Sequence, residues 1–159
     1  MQIVHATCVA ISAQGLLLIG PSGAGKSQLA HRLIGRGAWL IADDQTILTA
    51  NRANLLTASC PPGIRGRLEI RGLGIVSVPT QSAAPIQLVL DLDPTMRPPE
   101  GDYRMPEFHA WTPPMTGPNM AKTWPSVACV YFNPYRPDAV EMAFAALAKA
   151  REWGDSPAP

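Results

Sequence analysis

The chain has 159 residues, with 13 lysines and arginines against 12 aspartates and glutamates, which gives a net charge of +1. This length supports one domain with a sizeable core and excludes a second catalytic domain, so we expect a single domain over residues 1–154 and a disordered tail over 155–159. The balanced charge gives no electrostatic reason to expect nucleic acid or an anionic membrane as a partner.

A β-hairpin is predicted at the start of the chain. Its strands are the apolar runs from Ala6 to Ile11 and from Leu16 to Ile19, and Ser12 to Gly15 supply the turn. The second strand runs directly into a glycine-rich segment. The hairpin therefore delivers that segment at the end of a buried strand.

The glycine-rich segment GPSGAGKS matches in full the phosphate-binding pattern Gly-x-x-x-x-Gly-Lys-Ser. Its residues are Gly20, Pro21, Ser22, Gly23, Ala24, Gly25, Lys26 and Ser27. Glycines let backbone N–H groups turn toward phosphate oxygens at the start of a helix, which the apolar spacing predicts from Ser27 to Arg36. Lys26 would reach the terminal phosphates, and the Ser27 hydroxyl would ligate Mg²⁺. The pattern predicts a nucleoside triphosphate as the ligand.

The middle of the chain is predicted to be mainly sheet. A short apolar strand from Trp39 to Ala42 ends at two carboxylates, Asp43 and Asp44. The other predicted strands are Thr46 to Leu48, Leu55 to Thr57, Leu68 to Ile70, Ile75 to Val78 and Ile86 to Leu92.

The composition changes from Pro94 to Pro125, where eight prolines occur without sustained periodicity. We expect loop and extended backbone there, either as a surface facing the substrate or as a solvated connector. A last strand is predicted from Val127 to Phe132. A helix follows from Pro137 to Trp153, with Pro137 as its first residue and Gly154 as its stop.

The cysteines Cys8, Cys60 and Cys129 are widely spaced among apolar neighbours, which favours reduced core thiols over disulfides or a metal site. No stretch approaches the roughly 20 apolar residues that span a bilayer, and the N-terminus lacks the features of a signal peptide. The expected location is the cytoplasm.

Three acidic residues are candidates to complete a phosphate site. Asp91 ends the apolar run Leu88 to Leu90, as the metal-supporting aspartate of many phosphate-loop proteins ends its strand. Asp44 and Glu69 are the others, since a carboxylate beside phosphate can hold a metal or accept a proton from an attacking hydroxyl.

The run LEIRGLGI from Leu68 to Ile75 resembles the signature of bacterial HPr kinase/phosphorylase, which phosphorylates a serine of the phosphocarrier protein HPr. Other motifs agree in register: His5 stands fifteen residues before Gly20, and an Arg-Gly pair precedes a strand that ends Ala42-Asp43-Asp44. The resemblance covers about Val4 to Val78. It is to the shortened form of the enzyme, with the catalytic domain only.

The resemblance implies roles for individual residues. Lys26 and the loop would hold ATP, and Ser27 and Glu69 would hold Mg²⁺. Asp44 would take the proton from the substrate serine and return it in the reverse reaction. His5 would assist it, and Arg71 could neutralise charge on the transferring phosphate. The alternatives are that His5 is a core histidine and that Arg71 is a surface charge. Asp43 ranks below Asp44 as a catalytic candidate. Asp91 has no catalytic role on this interpretation.

The resemblance weakens after Val78. The segment from Glu100 to Arg104 is similar to one that carries a catalytic arginine, so Arg104 is a further candidate. The family's Arg-Pro-Gly-Arg-Asn loop, linked to phosphate removal, has no clear counterpart, and the nearest fragment, Met115 to Asn119, lacks both arginines. Kinase activity is therefore expected, and the phosphorylase activity stays open.

For the fold, the resemblance implies an α/β P-loop core of the HPr kinase and phosphoenolpyruvate carboxykinase type. We expect a mixed central sheet, a phosphate-loop helix and a C-terminal helix, in a protein that could assemble as a hexamer as family members do.

The main functional hypothesis is an ATP- and Mg²⁺-dependent protein serine kinase that acts on HPr or an HPr-like phosphocarrier. The alternatives are a kinase of the same design with another protein or small-molecule acceptor, and a nucleotide-binding regulatory module without turnover.

Overall fold

The computed structural model describes residues 1–98, 107–114 and 123–153. Within these ranges the chain forms ten strands, two α-helices and one short 3₁₀ turn, Pro94–Met96. The helices are α1 (Lys26–Ile34) and α2 (Ala139–Trp153). The strands are β1 (Gln2–Ile11), β2 (Gln14–Ile19), β3 (Trp39–Ala42), β4 (Gln45–Ala50), β5 (Leu56–Ser59), β6 (Arg67–Ile70), β7 (Gly74–Ser77), β8 (Ala83–Asp91), β9 (His109–Trp111) and β10 (Val127–Tyr131).

Eight strands form one mixed sheet in the order β2-β1-β4-β5-β8-β10-β9, with β3 paired to β1. Two long strands, β1 and β8, each pair with several other strands of this sheet. β1 pairs with β4 through its first residues and with β2 through the rest, and β8 pairs first with β5 and then runs parallel to both β2 and β10. The predicted mixed α/β fold with a central sheet is confirmed.

The core lies on both faces of the strands that lead to the glycine-rich loop. Successive side chains of β2 point to opposite faces, so Leu16 and Leu18 pack toward α1 and α2 while Leu17 packs into a second cluster. A separate hairpin, β6 and β7, covers part of the first cluster through Leu68. The end of β2 is thus fixed from both sides, and the loop that follows starts from a rigid point.

The helix boundaries differ from the prediction for local reasons. α1 begins at Lys26 and ends at Ile34, because Gly35 closes it with N–H bonds back to the carbonyls of His31 and Leu33. The prediction that Pro137 is the first residue of α2 is wrong. The Met142 N–H donates to the Asp138 carbonyl at 2.9 Å, which makes Ala139 the first helical residue.

The prediction of no strand or helix between Pro94 and Pro125 is also wrong in the part that the structure describes. The 3₁₀ turn is stabilised by the Asp93 side chain, which accepts from the Thr95 N–H. Residues His109–Trp111 add an antiparallel edge strand to β10. Three residues are too few for a periodicity to show in sequence. The expected tail at 155–159 lies outside the described residues.

All three cysteines are free, as predicted. Cys8 and Cys129 are buried, and burial raises the pKa of Cys129 to about 12. Cys60 is half-buried, so the expectation of a core thiol holds for the other two and not for this one.

In the described part of the chain, no helix has the length and apolar character needed to cross a membrane.

Replacing Ala13 by glycine is expected to stabilise the fold by about 0.5–1 kcal/mol. The two residues of the β1–β2 turn, Ser12 and Ala13, both have positive φ, 49° and 64°, a conformation that favours glycine. Urea unfolding should show a higher midpoint with an unchanged slope. The control is Ala148→Gly at an exposed site in α2, which should destabilise by about 1 kcal/mol because a helix interior disfavours glycine. A lower midpoint for Ala13→Gly would contradict the prediction.

Candidate active site

The glycine-rich loop joins the end of β2 at Ile19 to the start of α1 at Lys26. Gly25 has φ 98°, and a Cβ added there would lie 3.1 Å from Pro134. Gly20 has φ 144°, and a Cβ there would lie 3.3 Å from the backbone nitrogen of Asp93. These glycines are required by backbone conformation and by close packing. The loop lies directly before Lys26, the first residue of α1, and so at the positive end of that helix.

The Lys26 side chain folds back over this loop. Its Nζ donates to the carbonyl of Gly20 at 2.7 Å and to that of Pro21 at 3.0 Å. Burial lowers the pKa of Lys26, and the charges of Asp44 and Asp43 act in the opposite direction. The nearby carboxylates therefore favour a charged ammonium in a buried position, which suits a group that holds anionic oxygens.

Asp43 is the central acceptor of the site. Its Oδ1 accepts from the hydroxyls of Thr7 and Ser27, both at 2.8 Å, and its Oδ2 accepts from the Glu69 N–H at 3.1 Å. The residue is only 8% exposed, and the three donors satisfy its buried carboxylate. Asp43 thus connects β1, α1 and β6 at one point.

Asp44 lies in the turn between β3 and β4 with its side chain 69% exposed. Its Oδ1 is 3.1 Å from Nδ1 of His5, whose side chain is 48% exposed on β1. The pair is therefore open to a reactant, unlike Asp43. The alternative in which His5 is a buried core histidine is excluded by this exposure.

Glu69 and Arg71 come from the β6–β7 hairpin. Glu69 is exposed, and its N–H is anchored by Asp43. The Arg71 guanidinium reaches the glycine-rich loop, where a Cβ added to Gly23 would lie 3.7 Å from one of its nitrogens. The hairpin therefore brings one anion and one cation to the edge of the loop.

These elements enclose one open cavity of about 410 Å³. Its lining residues are His5, Ser22, Gly23, Gly25, Lys26, Ser27, Gln28, Asp43, Asp44, Glu69, Arg71 and Tyr135. Seven predicted site residues other than the loop glycines meet here: His5, Ser22, Lys26, Ser27, Asp44, Glu69 and Arg71. The predicted loop residues Gly20, Pro21 and Ala24 are not part of the lining. Asp91 is absent from the lining, and its carboxylate accepts from the Asp93 N–H at 3.0 Å. Arg104 lies outside the described residues.

The sequence did not single out Tyr135 or Thr7. The Tyr135 hydroxyl donates to the Gly23 carbonyl at 3.0 Å, from a residue more than a hundred positions away in the chain. No local pattern signals such a contact. Thr7 had a signal, because it is a polar residue inside the apolar strand from Ala6 to Ile11.

The donor chemistry fits Mg²⁺ bound together with phosphates. Ser27 supplies a hydroxyl and Asp43 and Glu69 supply carboxylates, and the Ser27–Asp43 contact of 2.8 Å brings two of these oxygens together. Among the residues described, no group of three or more histidine, cysteine, aspartate or glutamate side chains could hold a metal by itself. Mg²⁺ commonly takes only one or two protein carboxylates and completes its shell with phosphates and water.

Comparison with known proteins gives a consistent result. The chain is 40% identical to HPr kinase/phosphorylase 1 of Oceanobacillus iheyensis over 97 residues, which cover 57% of this chain and 31% of that protein. It is 30% identical to HPr kinase/phosphorylase of Burkholderia lata over 132 residues, 79% of this chain and 40% of that protein. The chain therefore spans well under half the length of these relatives.

The fold is also that of a solved structure. The structure of the Hpr(Ser) kinase/phosphatase from Coxiella burnetii matches with a TM-score of 0.77 at 24% identity, covering 98% of this chain and 100% of that one. The model of the HPr Serine kinase C-terminal domain matches residues 1–92, which include β1, the glycine-rich loop, Asp43, Asp44 and the β6–β7 hairpin. The chain belongs to the HPr Serine kinase C-terminal domain family.

Proposed function

We propose that this chain is the catalytic domain of an ATP- and Mg²⁺-dependent protein serine kinase that phosphorylates HPr or an HPr-like phosphocarrier. One observation carries the proposal: the buried Lys26 ammonium of the glycine-rich loop and the exposed Asp44–His5 pair line the same cavity. The first suits a phosphate donor and the second suits a hydroxyl acceptor. The core is accordingly a P-loop core of the HPr kinase type.

The loop N–H groups and Lys26 would hold the terminal phosphates of ATP. Ser27 and Glu69, with Asp43 beside them, would hold Mg²⁺, which neutralises phosphate charge when bound. Arg71, which lies beside Gly23, adds a further cation at the loop. These groups act by positioning and by electrostatic stabilisation.

Asp44 would act as the base. It takes the proton of the acceptor serine as the serine oxygen forms its bond to the γ-phosphorus, and the bond from that phosphorus to the oxygen shared with the β-phosphate breaks to release ADP. His5, whose Nδ1 lies 3.1 Å from Asp44 Oδ1, orients this carboxylate. The phosphoserine product carries the transferred group.

The test is mass spectrometry of purified HPr after incubation with the full chain, ATP and Mg²⁺. Phosphoserine on HPr that requires both the chain and ATP supports the proposal, and chain without ATP is the control. Transfer to another acceptor but not to HPr would reject HPr as the substrate and keep the kinase. Stoichiometric ATP binding with no product from any acceptor would instead support a regulatory module and reject the kinase.

A further inference from the structure

Three consecutive residues of β1 hold Asp44 at three different atoms. His5 Nδ1 lies 3.1 Å from the carboxylate, the Ala6 N–H donates to the Asp44 carbonyl at 3.1 Å, and the Asp44 N–H donates to the Thr7 hydroxyl at 3.3 Å. The first contact concerns the side chain and the other two concern the backbone. The orientation of the Asp44 side chain and backbone therefore depends on contacts with β1 more than on the β3–β4 turn in which Asp44 lies.

The backbone at Asp44 needs such support because its conformation is strained. Its φ is 66°, and the Gln45 N–H donates to the Asp43 carbonyl at 2.7 Å across it, which closes a three-residue turn. A turn of this kind with positive φ at its centre is rare. Strained residues keep their geometry only when their surroundings determine it.

Thr7 links both aspartates through one buried hydroxyl. Its Oγ1 donates its hydrogen to Oδ1 of Asp43 at 2.8 Å and accepts the Asp44 N–H. Thr7 is fully buried, and Asp43 Oδ1 also accepts from Ser27. The Thr7 hydroxyl therefore fixes the position of both the Asp43 carboxylate, which also contacts Ser27, and the Asp44 backbone.

Packing alone does not require this hydroxyl. Valine has nearly the same shape as threonine, suits a buried strand equally well and buries no polar group. A buried hydroxyl is favourable only where its hydrogen bonds are made. The two bonds that Thr7 makes both lead to aspartates of the cavity.

We propose that Thr7 is a positioning residue for phosphoryl transfer: its hydroxyl, between the Asp43 carboxylate and the Asp44 N–H, fixes the direction in which Asp44 meets the acceptor. This proposal rests on the proposed kinase function. Thr7 does not line the cavity, so it acts only through the two aspartates.

The test compares Thr7→Val with Thr7→Ser in the full chain, with HPr and ATP as substrates. We expect Thr7→Val to lower kcat about 10- to 100-fold, since small misplacements of a catalytic group have effects of that size, and to change KM for ATP less than about threefold. Thr7→Ser keeps the hydroxyl and should restore most of kcat. If Thr7→Val does not fold, Thr7→Cys replaces the hydroxyl by a weak donor and should give the same loss.

The matched control is Thr46→Val. Thr46 is equally buried, and its hydroxyl donates at 2.8 Å to the Ala6 carbonyl rather than to an aspartate. It should keep kcat within about threefold of the wild type even if its melting temperature falls as far as that of Thr7→Val. Equal losses of kcat in both valine variants, full kcat in Thr7→Val, or failure of serine to rescue would each overturn the proposal.

A second measurement does not need turnover. Hydrogen exchange of the Asp44 amide, followed by NMR, should be at least about tenfold faster in Thr7→Val than in the wild type or Thr46→Val, because its acceptor is gone. Unchanged exchange would overturn the positioning role. Absence of transfer by the wild-type chain to any acceptor would instead overturn the kinase function, while the exchange result still reports on Thr7.

Discussion

Asp44→Asn is expected to lower the rate of phosphoryl transfer about 10²- to 10⁴-fold, the range that a positioned general base contributes. Asparagine has the same shape and can still contact His5, but its amide does not accept the serine proton. Asparagine also tolerates positive φ better than most residues, so the strained turn at this position should persist. The change should therefore remove chemistry and leave the fold intact.

ATP affinity should be retained or slightly increased in Asp44→Asn, because the carboxylate repels the phosphates that Lys26 and the loop would hold. Calorimetry of ATP binding and mass spectrometry of HPr separate the two effects. The control is Glu141→Gln, which removes an exposed carboxylate that pairs with Arg36 on the protein surface and should leave transfer unchanged. An Asp44→Asn protein with wild-type transfer would rule Asp44 out as the base.

The second large effect is expected for Lys26→Met, which should lower the rate of phosphoryl transfer about 10²- to 10³-fold. Removal of one preorganised hydrogen-bond donor that stabilises charge in a transition state has an effect of this size. Methionine keeps the apolar stem of the side chain and removes its ammonium. Because the ammonium lies over the loop that would hold the phosphates, its removal should also weaken ATP binding. Both kcat and ATP affinity are expected to fall, in contrast to Asp44→Asn.

Stability should respond differently from activity in Lys26→Met. Burial lowers the pKa of Lys26, so the folded state holds this proton less firmly than the unfolded chain does, and the charge opposes folding at neutral pH. We therefore expect the unfolding free energy without nucleotide to stay within about 1 kcal/mol of the wild type. Thermal melts with and without ATP measure this, and Lys149→Met, at an exposed position of α2, is the control. ATP-induced stabilisation equal to that of the wild type would contradict the role of Lys26.

The parts of the fold that depend on local pattern were predictable. The hairpin of β1 and β2, the loop and α1 follow from short apolar runs, glycines and helical spacing within a few dozen residues. The edge strand His109–Trp111 was not, because three residues become a strand only through their partner β10. The start of α2 was misplaced because Pro137 lies in the turn before the helix, where its fixed φ fits as well as at the first helical position.

The candidate site shows the same division. Sequence motifs named the residues that would touch ATP or the acceptor, and the structure brings nine of them to one cavity. The supporting contacts were not visible: Asp43 was ranked below Asp44, yet it accepts hydrogen bonds from three separate elements. Contacts between distant segments depend on strand register, which a single sequence does not specify.

The antiparallel register of β1 and β2 has a consequence for how this protein can vary. Ala6 pairs with Ile19, so the strand segment that holds Asp44 lies directly opposite the residue before the glycine-rich loop. Slippage by one position would turn every side chain of the strand to the opposite face. The distance between Asp44 and the glycine-rich loop is therefore set by the backbone pairing of β1 with β2. An insertion at the hairpin tip is tolerable only when it leaves this pairing unchanged.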